Sequence, residues 1–111
     1  MLHPALRPAL PALRELCQRF EVQELYLFGS AVTARFDAER SDVDALVAFP
    51  PGLDPLDRGQ RILDLWDELE QLFGRRVDLV TPESIRNPIF QQELDETKEL
   101  IYEPTQTQVA G

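Results

Sequence analysis

Glu24-Leu25-Tyr26-Leu27-Phe28-Gly29-Ser30, followed after eleven residues by Asp42-Val43-Asp44-Ala45-Leu46-Val47-Ala48-Phe49, decides the fold of this chain. The first run is a short strand that ends at glycine. In the second, Val43, Leu46, Val47 and Phe49 mark another strand, stopped by Pro50-Pro51-Gly52. The chain between them, residues 30–41, is polar and irregular. Upstream, Leu6, Leu10, Leu13, Leu16, Cys17 and Phe20 recur three and four apart, which predicts a helix. Its regular part should begin near Pro11, because proline suits a first turn and not an interior. Downstream, Ile62, Leu65, Trp66, Leu69, Leu72 and Phe73 line one face of a helix over residues 58–73, and Gly74 stops it. A third strand follows over 76–80, then a short turn at Thr81-Pro82-Glu83, a helix over 89–97 and a last strand at 99–102. Alternating strands and helices define an α/β class, with a small central sheet of about three to four strands flanked by helices. One domain is expected over residues 1–103, with a loose tail over 104–111 that has little to bury.

Length and charge bound the partners. A chain of 111 residues is one ordinary domain, able to bury a core without covalent staples. A single cysteine, Cys17, excludes an internal disulfide and a cysteine-rich zinc module. No apolar run approaches the ~20 residues that span a bilayer, and the proline-broken start has no signal-peptide core. A cytoplasmic, reducing setting with no membrane contact is the expectation. Eleven basic residues against twenty acidic ones give a net charge of −9. The excess is concentrated after residue 36, where seven basic groups face seventeen acidic ones. Direct nucleic-acid binding needs a basic footprint, which this chain lacks. Acidity of this kind serves solubility, divalent metal or a basic partner.

Three acids carry the candidate chemistry. Asp42 and Asp44, two apart on a strand, project from one face. Carboxylates held that close repel unless a proton or a cation lies between them. Hard divalent ions suit such oxygens, with phosphate oxygens completing the shell. Gly29-Ser30 directly follows a strand, where glycine lets the backbone turn and approach a ligand, and serine can donate. Asp78 interrupts the apolar run Val77-Asp78-Leu79-Val80, a costly position unless the acid is solvated, paired or on a metal. Taken singly, each has a commonplace alternative: a solvated or turn-capping pair, an ordinary loop, an exposed strand edge. Trp66 and Cys17 read as core residues, His3 as part of a frayed terminus, and Arg75-Arg76 as the fringe of a turn or an anion contact.

In this order the motifs resemble a known family. Leu27-Phe28-Gly29-Ser30, then Arg35-Phe36-Asp37 and Arg40-Ser41-Asp42-Val43-Asp44, resemble the signature of the minimal nucleotidyltransferases of the polymerase-beta-like superfamily. The likeness continues through Phe73 to Thr81 and Arg86-Asn87-Pro88 and covers roughly residues 20–103. It implies a small nucleotidyltransferase fold with a mixed sheet. It also implies that Asp42, Asp44 and Asp78 are catalytic and metal-binding, holding two Mg2+ ions. Gly29, Ser30, Arg35 and Ser41 would bind the nucleotide, with ATP as donor. One departure stands out: Ala31-Val32-Thr33-Ala34 puts alanine where members often have glycine.

Members of this size resemble the antitoxin half of two-gene systems whose partner is a HEPN-type ribonuclease toxin. The implied function is Mg2+-dependent transfer of AMP from ATP to a tyrosine hydroxyl of that toxin, within a hetero-oligomer. Two alternatives remain at this point. One is a non-catalytic antitoxin that neutralises by binding. The other is an antibiotic-modifying nucleotidyltransferase, disfavoured because no room remains after residue 103 for a second domain.

Overall fold

The computed structural model describes residues 2–104, which form a four-stranded mixed sheet with helices on both faces. Helix α1 spans Leu10–Arg19, β1 Glu24–Phe28, β2 Val43–Ala48, α2 Pro55–Phe73, β3 Val77–Val80, α3 Pro88–Thr97 and β4 Glu99–Tyr102. Short 3-10 turns cover Pro4–Ala9, Gly29–Val32 and Pro82–Ser84. The strand order is β3-β2-β1-β4, with β1 antiparallel to both β2 and β4, and β2 parallel to β3. The α/β class and the mixed sheet expected from the sequence are both present.

Local chemistry sets the helix limits. Helix α2 starts three residues before the predicted position, because Asp54 accepts from the Leu56 N–H at 3.1 Å and Pro55 occupies the first turn. It ends at Gly74, which takes φ +64° and donates to the Glu70 carbonyl. Asn87 caps α3 in the same way, accepting from the Ile89 N–H at 2.8 Å. Helix α1 closes with Val22 N–H on Cys17 O and Glu21 N–H on Gln18 O, which puts Glu21 at φ +56°.

Strand alternation sorts the two faces. Leu25 and Leu27 of β1, Val43, Ala45 and Val47 of β2, and Val77 and Leu79 of β3 pack with Leu13, Leu16, Cys17, Leu65 and Leu69 of α1 and α2 in the main core. On the opposite face Phe28 and Leu46 meet Leu94 of α3, flanked by Tyr26, Val80, Ile85 and Phe90. Asp78 of β3 stays exposed beside this second layer.

The chain's start differs from expectation. His3 is not frayed: its N–H donates to the Ala31 carbonyl at 2.8 Å, and its ring lies 5.2 Å from that of Phe36. Leu2 and Leu6 are buried in the main core. Burying those two leucines offsets the conformational cost that three nearby prolines already reduce. The predicted tail lies outside the described residues apart from Pro104. No helix of the described residues is long and apolar enough to cross a membrane.

Candidate active site

The register across three strands assembles the site. Phe28, at the end of β1, lies opposite Asp44 near the start of β2, and Asp44 lies beside Asp78 of β3. These three residues form one row across the sheet, on the α3 face. Asp42 precedes β2 by one residue and by alternation faces the same way. Asp44 and Asp42 are half-buried, while Asp78 is exposed. The Asp44 and Asp78 carboxyl groups are neighbours across the β2–β3 register. Burial first, then the charge and hydrogen bond of Asp78, then the charge of Asp42, push the Asp44 carboxyl up to about 6.

Gly29 meets this row directly. It sits at φ +67°, and a Cβ built on it would lie 2.5 Å from Asp44 Oδ2. A side chain there would have to displace the Asp44 carboxylate and would be strained by the positive φ, so glycine lets the β1 turn approach the carboxylate. Ser30 follows half-exposed, its carbonyl accepting from the Thr33 N–H at 3.0 Å and the Thr33 hydroxyl at 3.1 Å. Arg35 is exposed further along, with its N–H on Thr33 Oγ1. Ala34 does not adopt a positive φ: among the described non-glycine residues only Glu21 does. Alanine therefore suits the loop's path without strain.

Ser41 closes the loop before the acids, its hydroxyl accepting from the Asp37 N–H at 2.9 Å and its N–H donating to Asp37 O at 2.8 Å. Sequence reasoning missed what holds Ser41 from behind. Arg75 Nη1 donates to the Ser41 carbonyl at 3.1 Å, and the guanidinium stacks 5.0 Å from the Phe36 ring centroid. The partners lie 34 positions apart, so no local pattern reveals them. A second support braces Asp78. Trp66 Nε1 donates to the Val77 carbonyl at 2.7 Å, and the Val77 N–H donates to Glu70 Oε2 at 3.0 Å. Two α2 side chains four positions apart thus occupy both backbone groups of the residue before Asp78. They cover part of an edge that would otherwise present open donors and acceptors.

The donor set consists of hard carboxylate oxygens, which suit Mg2+. Among the described residues no three His, Cys, Asp or Glu side chains converge closely enough to hold a metal ion by themselves. An ion here would take one or two carboxylates and draw the rest of its shell from substrate phosphates.

Comparison with known proteins adds the family. Residues 12–103 match the model of the nucleotidyltransferase domain. The protein adenylyltransferase MntA of Thermococcus cleftensis is 38% identical over 91 residues, covering 80% of this chain and 82% of that protein. A structure described as a minimal nucleotidyltransferase is 34% identical with a TM-score of 0.61, over 87% of this chain and 94% of that one. A third structure, of the tri-AMPylated Shewanella oneidensis HEPN toxin in complex with its MNT antitoxin, superposes with a TM-score of 0.55 at 21% identity. It covers 94% of this chain and 77% of that one, and shares the fold. With the family model matched over most of its length, this chain belongs to the nucleotidyltransferase domain family and is a nucleotidyltransferase of the minimal type.

Proposed function

We propose that this chain transfers AMP from ATP to a hydroxyl of a partner protein, a tyrosine of a HEPN-type toxin, and so acts as its antitoxin in the cytoplasm. The observation that carries the reading is the row Phe28, Asp44, Asp78 with Gly29 packed against Asp44, which joins two acids to a phosphate-approach turn. The relatives' names support it: one is a protein adenylyltransferase, and another structure holds an AMPylated HEPN toxin with an MNT antitoxin. The acidic surface after residue 36 favours a basic partner by electrostatic steering.

Each residue then has a physical task. Asp42, Asp44 and Asp78 hold Mg2+, two ions by family resemblance. When bound, Mg2+ offsets the charge of the triphosphate and of the leaving pyrophosphate. Gly29 and Ser30 present backbone and hydroxyl to the β- and γ-phosphates, and Arg35 offers a cation from the loop. Ser41 bridges from that loop to Asp42. Asp78, exposed at the open side, stands where the acceptor hydroxyl arrives. Residues 1–103 work as one domain.

The test incubates the purified chain with α-labelled ATP, Mg2+ and a HEPN-type partner, beside the Asp42→Asn/Asp44→Asn variant. Label on the partner with wild type only, lost on chelation, supports transfer. A stable complex that suppresses the partner without label would replace transfer by neutralisation through binding.

A further inference from the structure

We propose that His3 is a positioning residue for the triphosphate of ATP: its backbone holds the turn that follows Ser30, and its ring holds Phe36 beside Arg35. This inference rests on the AMP-transfer reading. It adds a segment that lies ahead of the matched nucleotidyltransferase residues, 12–103.

One residue grips both ends of the phosphate turn. The His3 N–H donates to the Ala31 carbonyl at 2.8 Å, and the His3 ring lies 5.2 Å from the Phe36 ring. Ala31 directly follows Ser30, and Phe36 directly follows Arg35. Both gripped residues are buried, whereas Ser30 is half-exposed and Arg35 exposed. Each phosphate contact therefore stands one position from a buried anchor, a rigid frame for side chains that must meet a ligand. Between the anchors the turn is tied through Thr33. Its hydroxyl donates to the Ser30 carbonyl at 3.1 Å and accepts from the Arg35 N–H at 3.2 Å. Those bonds shape the turn, and the contacts at its ends fix it against the body of the protein.

The Phe36 ring is also held from a second side of the chain. Arg75 stacks 5.0 Å from its centroid while donating to the Ser41 carbonyl at 3.1 Å. The N-terminal segment, the phosphate turn and the acid end of the loop thus meet at one ring. A loop set in its binding shape loses less freedom when ligand arrives, and so binds more tightly.

The His3 side chain has two separable tasks. Nδ1 accepts from the Ala5 N–H at 3.1 Å and caps the turn Pro4–Ala9, which is a structural task. The ring against Phe36 is the positioning task. His3→Asn keeps a capping acceptor and gives up the ring. His3→Phe keeps a ring and gives up the acceptor.

The experiment titrates the full chain with α,β-methylene ATP and Mg2+ by calorimetry, an analogue whose α–β bridge does not break. Wild type, His3→Asn and His3→Phe are compared, each also combined with Arg35→Ala, and urea denaturation is read on the same samples. His3→Asn is expected to weaken binding roughly three- to tenfold, a share of one charge-assisted contact, with His3→Phe close to wild type. That loss should vanish in the Arg35→Ala background, because it acts through Arg35. Stability should follow the opposite order, with His3→Phe the less stable for want of its cap. Weaker binding by His3→Phe than by His3→Asn, equal binding by all three, or a loss that persists without Arg35 overturns the positioning role and leaves nucleotide transfer standing. A wild type that binds no analogue overturns the transfer reading and this inference with it.

Discussion

Replacing Asp44 with asparagine should stabilise the metal-free chain most at pH 8, about half as much at pH 5, and hardly at all below about pH 4. Burial and the neighbouring acids raise the Asp44 carboxyl from 3.8 to about 6, a difference of about two pH units. The folded chain therefore holds a proton there that the unfolded chain releases, and the stabilisation is complete only below the unfolded value. It is lost as pH rises through about 6, when folding must accommodate a second charge beside Asp78. At 1.36 kcal/mol per unit the ceiling is about 3 kcal/mol, and half-exposure of the site reduces it to roughly 1–2 kcal/mol. Urea denaturation of wild type and Asp44→Asn at about pH 4, 5, 6 and 8 measures the difference, which should grow mainly between about pH 4 and 6 in favour of the variant and then level off. Millimolar Mg2+ at pH 8 should recover stability in wild type and do little for the variant, because only wild type gains a ligand for its repelling acids. A difference independent of pH, or an equal Mg2+ response in both proteins, would refute the claim that burial and the neighbouring acids hold the Asp44 carboxyl above its ordinary range.

Three further outcomes are expected. Gly29→Ala should lose about 1–2 kcal/mol to the left-handed backbone alone. It should also abolish AMP transfer, since the new Cβ would sit 2.5 Å from Asp44 Oδ2; urea curves and the label assay read the two effects separately. Trp66→Phe keeps the aromatic wall but orphans the Val77 carbonyl, and should cost about 1–2 kcal/mol in denaturation. Cys17 is fully buried, and that burial pushes its thiol up to about 12. A thiol reagent at pH 8 should therefore leave the native chain unmodified and react at once in denaturant; rapid native reaction would contradict the packing of α1.

The elements that the sequence revealed are those whose cause is local. Apolar alternation on β1 and β2 identifies the strands, and the i, i+2 spacing of Asp42 and Asp44 already puts both on one face. The stripe of α2 predicts its buried side, while the Asp54-Pro55 cap starts the helix three residues ahead of that stripe. What stayed hidden depends on the docking of elements far apart in the chain. Arg75 behind Ser41, and Trp66 with Glu70 across Val77, exist only once α2 lies along the β3 edge at this register. Trp66 shows the effect clearly. Its place on the apolar stripe predicts core, and part of it does pack there, yet at the sheet edge it also walls the cleft beside the acids. At the N-terminus Leu6 falls on the predicted stripe whereas Leu2 precedes it, and the burial of both ties this segment to the core.

The central claim is that the acids drive AMP onto a protein tyrosine, and intact-mass analysis of a HEPN-type partner co-expressed with this chain tests it most directly. Wild type should add whole adenylyl groups to the partner, located on tyrosine by fragmentation, and Asp42→Asn/Asp44→Asn should add none. An unmodified partner beside active, folded wild type, or the same mass gain with the double variant, would contradict the account.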